Sequence, residues 1–483
     1  RMPIFIRRSD LGLHHSPHIR KYFWYHPGQS NWNIQPLPII FSGQTMKRKY
    51  IRTWAELKIF KMIKAAFFST LIFFCISVSS QSIQPKPKSK PAAIIIPGAW
   101  RMDNYIDALR HKSVAIFANQ TSLLGKTHLV DTLVKLGIQI KKIFAPEHGF
   151  RGEADAGENV NNLTDPSTGI PIVSLYGNKI MPSPDDLRAI DIMVFDIQDV
   201  GARFYTYISS LQKYLEAAIL NDKPLILLDR PNPNGFYVDG PVLDTGFKSF
   251  VGMQPIPVVY GMTLGEYASM LLGEKWLASP APETKPVILT KEGLPAAQNM
   301  FAHFRLFIVA NGNYSHLSKY QLPVKPSPNL PDMQAIYLYP SICFFEGTVV
   351  SLGRGTDKPF QQFGHPAFPK NLYHFTPASL PGAKTPPMMG KTCFGFDLSK
   401  INVQVEGGNQ VQLKWLIKAY QLYPEKNNFF LASKFFNKLA GNDNLMQQIK
   451  DGKSMSEIRK SWQPALDKFK KTRKKYLLYP DFE

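Results

Sequence analysis

The chain has 483 residues, 44% of them hydrophobic, which is typical of a globular protein with two or three domains. Its net charge of +21 would suit a nucleic-acid-binding protein, but residues 1–90 hold 15 lysines and arginines against two acidic residues. Much of the remaining excess lies in the run 468–475, which is typical of a solvated helix end. We therefore expect no nucleic-acid partner, and the mildly basic remainder suits an anionic substrate.

The first 91 residues are interpreted as segments that precede the folded protein. Residues 1–45 show neither helical nor strand periodicity and are predicted to be non-native or disordered upstream sequence. Residues 46–91 are typical of a secretory signal and linker, because lysines precede the apolar run 65–78 and small residues follow it. That run is short for a membrane anchor. We expect an exported protein, periplasmic or extracellular, with no stable membrane span after signal removal.

From residue 92 the sequence alternates short apolar runs with helical stretches. The runs that predict strands are 113–118, 138–144, 170–175, 190–195 and 224–229, and the main amphipathic stretch is 205–220. Continuous apolar strands between helices predict a parallel sheet covered on both faces. We predict an α/β domain over 92–249 and a smaller α+β domain over 250–483 that closes over its cleft.

Polar residues follow each of several predicted strands. They are Asn119, Glu147, His148, Asp196, Asp199, Asp229 and Asn232. Because the carboxyl ends of parallel strands share one edge, these side chains are expected to converge on one crevice. The convergence predicts an active site there.

The segment 144–158 is the densest in titratable groups and glycines. We interpret Glu147 as a general acid and His148 as a neighbour that tunes or orients it. The alternative is a helix N-terminal carboxylate beside a surface histidine. The segment holds three further carboxylates, each a second catalytic group or a solvated loop charge: Glu153, Asp155 and Glu158.

The segment 195–207 is the second informative block. Asp196 and Asp199 end a strand, and Arg203 and Tyr205 open the next helix. Arg203 could bind a substrate carboxylate through two parallel hydrogen bonds, or could form an internal ion pair with an aspartate. We add Asp199 to the catalytic candidates, and the expected substrate-binding residues are Asn119, Glu153, Asp196, Arg203, Tyr205, Asn232 and Arg354.

Common cofactor and nucleophile motifs are missing from the sequence. No Gly-x-Gly-x-x-Gly follows a strand, and neither the full Walker motif Gly-x-x-x-x-Gly-Lys-Ser/Thr nor a Gly-x-Ser-x-Gly occurs. Cysteine and histidine show no metal-type spacing, so we expect no cofactor and no metal. Cys343 and Cys393, which follow the signal segment, could form one disulfide or stay as two buried thiols.

Several blocks together resemble one family. They include Ala145-Pro-Glu-His-Gly149, Phe195-Asp-Ile-Gln-Asp-Val-Gly-Ala-Arg-Phe-Tyr-Thr-Tyr207, Asp229-Arg-Pro-Asn-Pro-Asn-Gly235, Pro326-Ser-Pro-Asn-Leu-Pro331, Phe345-Glu-Gly-Thr348, Gly353-Arg-Gly-Thr356 and Lys475-Tyr-Leu-Leu-Tyr479. In their order the chain resembles the exo-β-N-acetylmuramidases of the NamZ type, long catalogued as a domain of unknown function. The resemblance covers about residues 92–483.

The resemblance implies a Rossmann-like N-terminal domain, a smaller C-terminal domain and a cleft between them. It also implies release of N-acetylmuramic acid from the non-reducing ends of peptidoglycan fragments, with Glu147 matching the family's proposed catalytic glutamate. An arginine in the cleft would bind the lactyl carboxylate of muramic acid. Arg203 is the first candidate for this role and Arg354 the second.

Two questions stay open at this point. The catalytic partner of Glu147 is either a second carboxylate or the substrate's own 2-acetamido group. The alternative function is a non-catalytic periplasmic protein that binds muropeptides or disaccharides; an esterase or amidase is disfavoured by the missing nucleophile motif.

Overall fold

The computed structural model describes residues 93–151, 163–279, 285–403 and 409–483. The predicted upstream and signal segments lie outside the described residues, as do Glu153, Asp155 and Glu158. Within the described ranges, no helix is both long and apolar enough to cross a membrane.

Strands numbered in chain order form three sheets. They are β1 (Ser113–Ala118), β2 (Leu123–Leu124), β3 (Thr127–His128), β4 (Gln139–Ala145), β5 (Leu163–Thr164), β6 (Pro171–Ser174), β7 (Ile192–Asp196), β8 (Leu225–Leu228), β9 (Val287–Ile288), β10 (Leu306–Val309), β11 (Gln362–His365), β12 (Tyr373–Phe375) and β13 (Cys393–Asp397). The large sheet has the order β5-β6-β4-β1-β7-β8-β10-β9. All of its pairings are parallel except that of β5 with β6. The predicted α/β parallel sheet is therefore confirmed.

The helices numbered in chain order pack around this sheet and the smaller domain. They are α1 (Ile106–Leu109), α2 (Leu129–Lys135), α3 (Pro184–Leu187), α4 (Tyr207–Leu220), α5 (Leu264–Gly273), α6 (Leu294–Gln298), α7 (Met333–Ile342), α8 (Lys414–Leu422), α9 (Phe435–Ala440), α10 (Asn444–Lys450) and α11 (Met455–Arg473).

The large sheet buries both of its faces because successive strand residues point to opposite sides. In β1, Ala115 and Phe117 join one hydrophobic core, and Val114 and Ile116 join the other. Helices α4 and α5 contribute to the first core, and α1, α2 and α6 contribute to the second. The strand ends therefore remain as the edge where polar groups can gather.

The smaller C-terminal domain holds the antiparallel sheet β11-β13-β12 and helices α7–α11. Its apolar side chains belong to the same core cluster as the α4–α5 face of the large sheet, so the two parts pack over shared apolar surface. The large sheet takes β9 and β10 from the chain beyond residue 249. The parallel sheet thus extends past the predicted domain boundary.

Local sequence signals set several helix ends. Thr263 and Ser454 each accept a hydrogen bond from the glutamate three residues later, whose carboxylate bonds back, as expected of capping boxes. Helix α11 buries an apolar stripe at helical spacing, formed by Ile458, Trp462, Leu466 and Phe469. Cys343 and Cys393 are both buried free thiols.

Candidate active site

A cavity of about 350 Å³ opens where residues following β4, β6 and β7 meet the smaller domain. Its size is within the range of small-ligand pockets. Titratable or polar side chains in its wall include Glu147, His148, Tyr176, Thr206, Ser327, Asn329, Glu346, Arg354, Lys384 and Thr385, and aromatic ones include Phe204, Tyr205, Tyr207, Tyr339, Phe360 and Phe435.

Glu147 reaches the cavity from a tight turn after β4. The Gly149 N–H donates to the Pro146 carbonyl at 3.0 Å, and both His148 and Gly149 have positive φ, 72° and 76°. Such a conformation is costly for a histidine and holds the turn in a special geometry. Glu147 is half-buried, so its carboxylate is accessible to a ligand.

Two hydroxyl groups contact the Glu147 carboxylate. Thr206 precedes α4 without capping it through its side chain, and its Oγ1 donates to Glu147 Oε2 at 3.4 Å. Tyr176, which follows β6, also hydrogen-bonds to Glu147. Burial raises the pKa of Tyr176, and the negative charges of Glu147 and Glu346 raise it further. Tyr176 is therefore a neutral hydroxyl in the field of both carboxylates.

Glu346 is the second carboxylate in the cavity wall. Arg354 Nε donates to Glu346 Oε1 at 2.9 Å, and Nη2 contacts the same oxygen. Both side chains are about one-fifth exposed, 23% and 20%, and the Cys343 thiol lies 3.7 Å from the other carboxylate oxygen. The guanidinium stabilises the negative charge of Glu346. Glu346 thus has a guanidinium partner, and Glu147 has the Thr206 hydroxyl among its contacts.

Tyr205 and Tyr207 contribute ring faces rather than hydroxyls to the wall. Their hydroxyls donate to the Pro326 carbonyl at 3.0 and 3.3 Å, and the rings pack edge to face at 4.5 Å. Asn119 supports the pair from behind, because its Nδ2 donates to the Tyr207 hydroxyl at 2.8 Å. Asn119 is fully buried and does not reach the cavity.

Arg203 lies elsewhere, fully buried. Its guanidinium donates to the carbonyls of Pro241, Ile256 and Leu439 at 2.7–2.9 Å. Burial lowers its pKa to about 9. Because Leu439 belongs to α9, Arg203 ties the larger domain to the helix whose first residue, Phe435, lines the cavity.

Asp199 is also buried outside the cavity wall. Its Oδ2 accepts from the Gly201 N–H at 2.6 Å and from the Tyr260 hydroxyl, while Oδ1 is buried without a partner. Burial raises the pKa of Asp199 to about 7, against the opposing effect of these hydrogen bonds. The side chain therefore sits in a place that favours a protonated carboxyl group.

Asp196 and Asn232 hold the backbone in place. Asp196 forms a fully buried ion pair with Arg230, 2.6 Å from Nε to Oδ1. Asn232 bridges a turn by accepting from the Asn234 N–H and donating to the Met262 carbonyl, both at 2.8 Å. Of the predicted site residues that the structure describes, it brings Glu147, His148, Tyr205 and Arg354 to the cavity and leaves Asn119, Asp196, Asp199, Arg203 and Asn232 behind it.

Sequence reasoning did not predict that Tyr176 and Glu346 line the cavity. Tyr176 follows β6 just as Glu147 follows β4, so the rule that found the other strand-end groups could have found it. Glu346 lies in the family block Phe345-Glu-Gly-Thr348 but was not among the candidate site residues. Among the residues that the structure describes, no group of three or more His, Cys, Asp or Glu side chains could hold a metal ion.

Comparisons with known proteins all lead to one family. Residues 114–334 match the family described as exo-β-N-acetylmuramidase NamZ, N-terminal, and residues 337–479 match its C-terminal counterpart. The peptidoglycan β-N-acetylmuramidase NamZ of Bacillus subtilis (strain 168) is 34% identical over 438 residues, covering 87% of this chain and 100% of that protein. Two crystal structures of DUF1343 family proteins from Bacteroides fragilis match with TM-scores of 0.71 and 0.63 and identities of 43% and 27%, each covering 80% of this chain and 100% of the other.

Proposed function

This chain belongs to the exo-β-N-acetylmuramidase NamZ family, and on that premise we propose that it releases N-acetylmuramic acid from the non-reducing ends of peptidoglycan fragments. It is a glycoside hydrolase, and the cavity that holds Glu147 and Glu346 is its active site. The observation that carries the proposal is that two carboxylates with different partners line one cavity of about 350 Å³.

Glu147 is the proton donor in this proposal. Glycoside cleavage needs a proton on the departing oxygen and a negative group near the anomeric carbon, and the two roles need carboxylates in different surroundings. Glu346 is paired with a guanidinium, which makes it the poorer donor. Glu147 has the uncharged hydroxyls of Thr206 and Tyr176 among its contacts, which suit a carboxyl group that carries a proton.

Glu346 supplies the negative charge at the anomeric carbon. Its carboxylate stabilises an oxocarbenium-like transition state, either by attack on the sugar or by orienting the 2-acetamido group. Proton NMR of the first-formed product separates these routes from direct attack by water. A β anomer identifies retention, through Glu346 or the acetamido group, and an α anomer identifies inversion.

Arg354 is the arginine proposed to recognise the lactyl carboxylate, because Arg203 is committed to backbone carbonyls. The pair with Glu346 uses Nε and Nη2 of Arg354, which leaves the Nη1 edge for a ligand, and Lys384 adds positive charge at the rim. In Arg354→Lys we expect the preference for a β-muramoside over the matching β-glucosaminide, measured as a ratio of kcat/KM, to fall about tenfold. The exposed Arg188→Lys is the matched control, and an unchanged ratio in the Arg354 variant would remove this residue from substrate recognition.

The direct test of the proposed function uses the disaccharide N-acetylmuramoyl-β-1,4-N-acetylglucosamine. The purified protein is incubated with it, and free N-acetylmuramic acid is measured by chromatography with mass detection. We expect stoichiometric release of both sugars. A disaccharide that is bound but stays intact over days would favour the non-catalytic binding protein instead.

Export to the periplasm or the cell exterior is also part of the proposal. It is supported by the signal-like segment 46–91 and by the peptidoglycan named for the Bacillus subtilis relative. Fractionation of cells that express the full chain tests it, and recovery of the protein in the cytoplasmic fraction alone would contradict it.

A further inference from the structure

The carboxylate of Glu346 is held at both of its oxygen atoms by neighbouring side chains. Arg354 donates to Oε1 through Nε, at 2.9 Å, and through Nη2. On the other side the Cys343 thiol donates to Oε2, with 3.7 Å between sulfur and oxygen. Cys343 is only 1% exposed and lies outside the cavity wall, so a substrate in the cavity does not touch it.

The spacing of the sequence places this thiol against the carboxylate. Helix α7 continues as a tight turn over Cys343–Gly347, and residues three or four apart on a helix share one face. Tyr339, Cys343 and Glu346 have this spacing, and the first and last of them line the cavity. The thiol therefore lies between two side chains of the cavity wall, one layer behind the substrate.

Close packing keeps the turn in place. A Cβ at Gly347 would lie 2.4 Å from the Cα of Phe436, so the backbone of the turn packs directly against α9. The Leu431 N–H also donates to the Gly347 carbonyl at 3.0 Å. Glu346, one residue earlier, is therefore anchored through the backbone as well as through its side chain.

The Cys343 thiol keeps its proton and directs it at the carboxylate. Burial raises the pKa of the thiol well above its ordinary value, and the negative charge of Glu346 raises it further. Tyr339 also hydrogen-bonds to the sulfur. This contact lowers the pKa of the thiol, as expected of a hydroxyl that donates to sulfur, whereas the hydrogen bond to Glu346 raises it. The donors thus follow one direction, from Tyr339 to Cys343 to Glu346.

We propose that Cys343 is a positioning residue for Glu346, the carboxylate that acts at the anomeric carbon. This inference rests on the proposed function. With Arg354 on one oxygen and the thiol on the other, the plane of the carboxylate is fixed toward the sugar. Both donors also favour its charged form over its protonated form. Because a thiol is a weak donor, it orients the carboxylate and leaves its negative charge available to the transition state.

The other ionisable groups around Glu346 stay in place when Cys343 is substituted. They are the Arg354 guanidinium, the Tyr339 and Tyr176 hydroxyls and, in the same cavity wall, Glu147, His148 and Lys384. A change in pH dependence that is confined to variants at position 343 therefore reports on the thiol.

Cys343→Ala removes the donor, and Cys343→Ser keeps a hydroxyl at the same position. The substrate is N-acetylmuramoyl β-fluoride, whose leaving group departs without a proton, so the acidic limb of its kcat/KM does not depend on proton donation by Glu147. For Cys343→Ala we expect kcat to fall about tenfold with KM within about twofold, and the midpoint of the acidic limb to rise by about one pH unit. Cys343→Ser is expected to lie closer to wild type in both measures. Cys393→Ala, at a second fully buried thiol outside the cavity wall, is the matched control.

The infrared S–H stretching band gives a readout that needs no turnover. A thiol that donates a hydrogen bond absorbs at lower frequency than a free one, and the difference spectrum between wild type and either Cys343 variant isolates its band. We expect Glu346→Gln to move this band to higher frequency, because an amide oxygen is a weaker acceptor than a carboxylate.

An unmoved band would overturn the inference. So would an acidic limb in Cys343→Ala that superimposes on that of wild type, or one that moves equally in Cys393→Ala. A wild-type protein inactive on both the fluoride and the disaccharide N-acetylmuramoyl-β-1,4-N-acetylglucosamine would overturn the proposed function instead, and the infrared spectra would still report whether the thiol binds Glu346.

Discussion

Replacement of Glu147 by glutamine removes the ionisable group of this residue and keeps its size, so that a comparison of two leaving groups can test proton donation. Glutamine has nearly the same shape, and its side-chain carbonyl can still accept from Thr206, 3.4 Å away, or from Tyr176. Glu147 is half-buried, and the substitution keeps its size and an acceptor oxygen. We therefore expect the free energy of unfolding to change by less than about 0.5 kcal/mol.

The expected kinetic loss depends on the leaving group. For the disaccharide, the departing hydroxyl needs a proton, and removal of a general acid typically costs 10²- to 10⁴-fold, so we expect kcat/KM to fall about 10³-fold. Fluoride departs without protonation. Because kcat/KM reports only the steps up to the first irreversible one, its value for N-acetylmuramoyl β-fluoride is expected to stay within about tenfold of wild type.

The assay measures fluoride release with an ion-selective electrode and disaccharide cleavage by chromatography. Glu292→Gln, at an exposed position outside the cavity wall, is the matched control. Equal losses on the two substrates would refute the assignment of Glu147 as proton donor and would point to a role common to both reactions. Wild-type turnover of the disaccharide would remove it from the mechanism altogether.

Three further predictions follow from the same structure. Glu346→Gln is expected to lower kcat/KM for both the disaccharide and the fluoride by about 10²- to 10³-fold, because charge at the anomeric carbon is needed with either leaving group; a loss on the disaccharide alone would contradict this role. Arg203→Met leaves three buried carbonyls without their donor. We expect it to lower the free energy of unfolding, measured in urea, by about 3 kcal/mol and to leave KM unchanged in the folded fraction. A raised KM at unchanged stability would instead assign Arg203 to substrate binding. Burial raises the pKa of Asp199 from 3.8 to about 7, so the native state holds a proton that the unfolded state releases in this window. The wild-type free energy of unfolding should therefore fall relative to that of Asp199→Asn as pH rises from 4 to 7, by roughly 3 kcal/mol. Parallel pH curves would contradict a protonated Asp199.

Much of the sheet could be predicted because its strands are buried on both faces. The predicted run 113–118 coincides with β1, and 190–195 lies within two residues of β7 at each end. Continuous apolar runs of this kind have few alternatives when helical stretches separate them. The run 306–309 is equally apolar, but it follows a segment rich in Pro and Gly. Sequence reasoning therefore did not predict that it forms β10 of the large sheet.

The site could be predicted only in part because sequence shows where a polar residue stands and not what packs over it. Arg203 directly follows the strand-end aspartates, as a substrate-binding arginine would. The backbone carbonyls that it binds belong to residues as distant in sequence as Ile256 and Leu439, and no local sequence pattern predicts these contacts. Glu346 was not among the candidate residues, although its partner Arg354, only eight residues away, was one of them.

The rest of the chain determines which polar side chains at the strand ends face the cavity, because it supplies hydrogen-bond and ion-pair partners to the others. At the end of β8, the Tyr479 hydroxyl donates to Asp229 at 2.6 Å, and at the end of β7, Arg230 neutralises Asp196. Both aspartates therefore stabilise the fold and do not face the cavity. After β4 and β6 the chain instead leaves Glu147 and Tyr176 facing a cavity whose far wall, with Glu346, comes from the smaller domain. The position of a polar side chain at the carboxyl edge of the sheet therefore identifies it as a candidate. The candidates that can act on a ligand are those that the surrounding chain leaves facing the cavity.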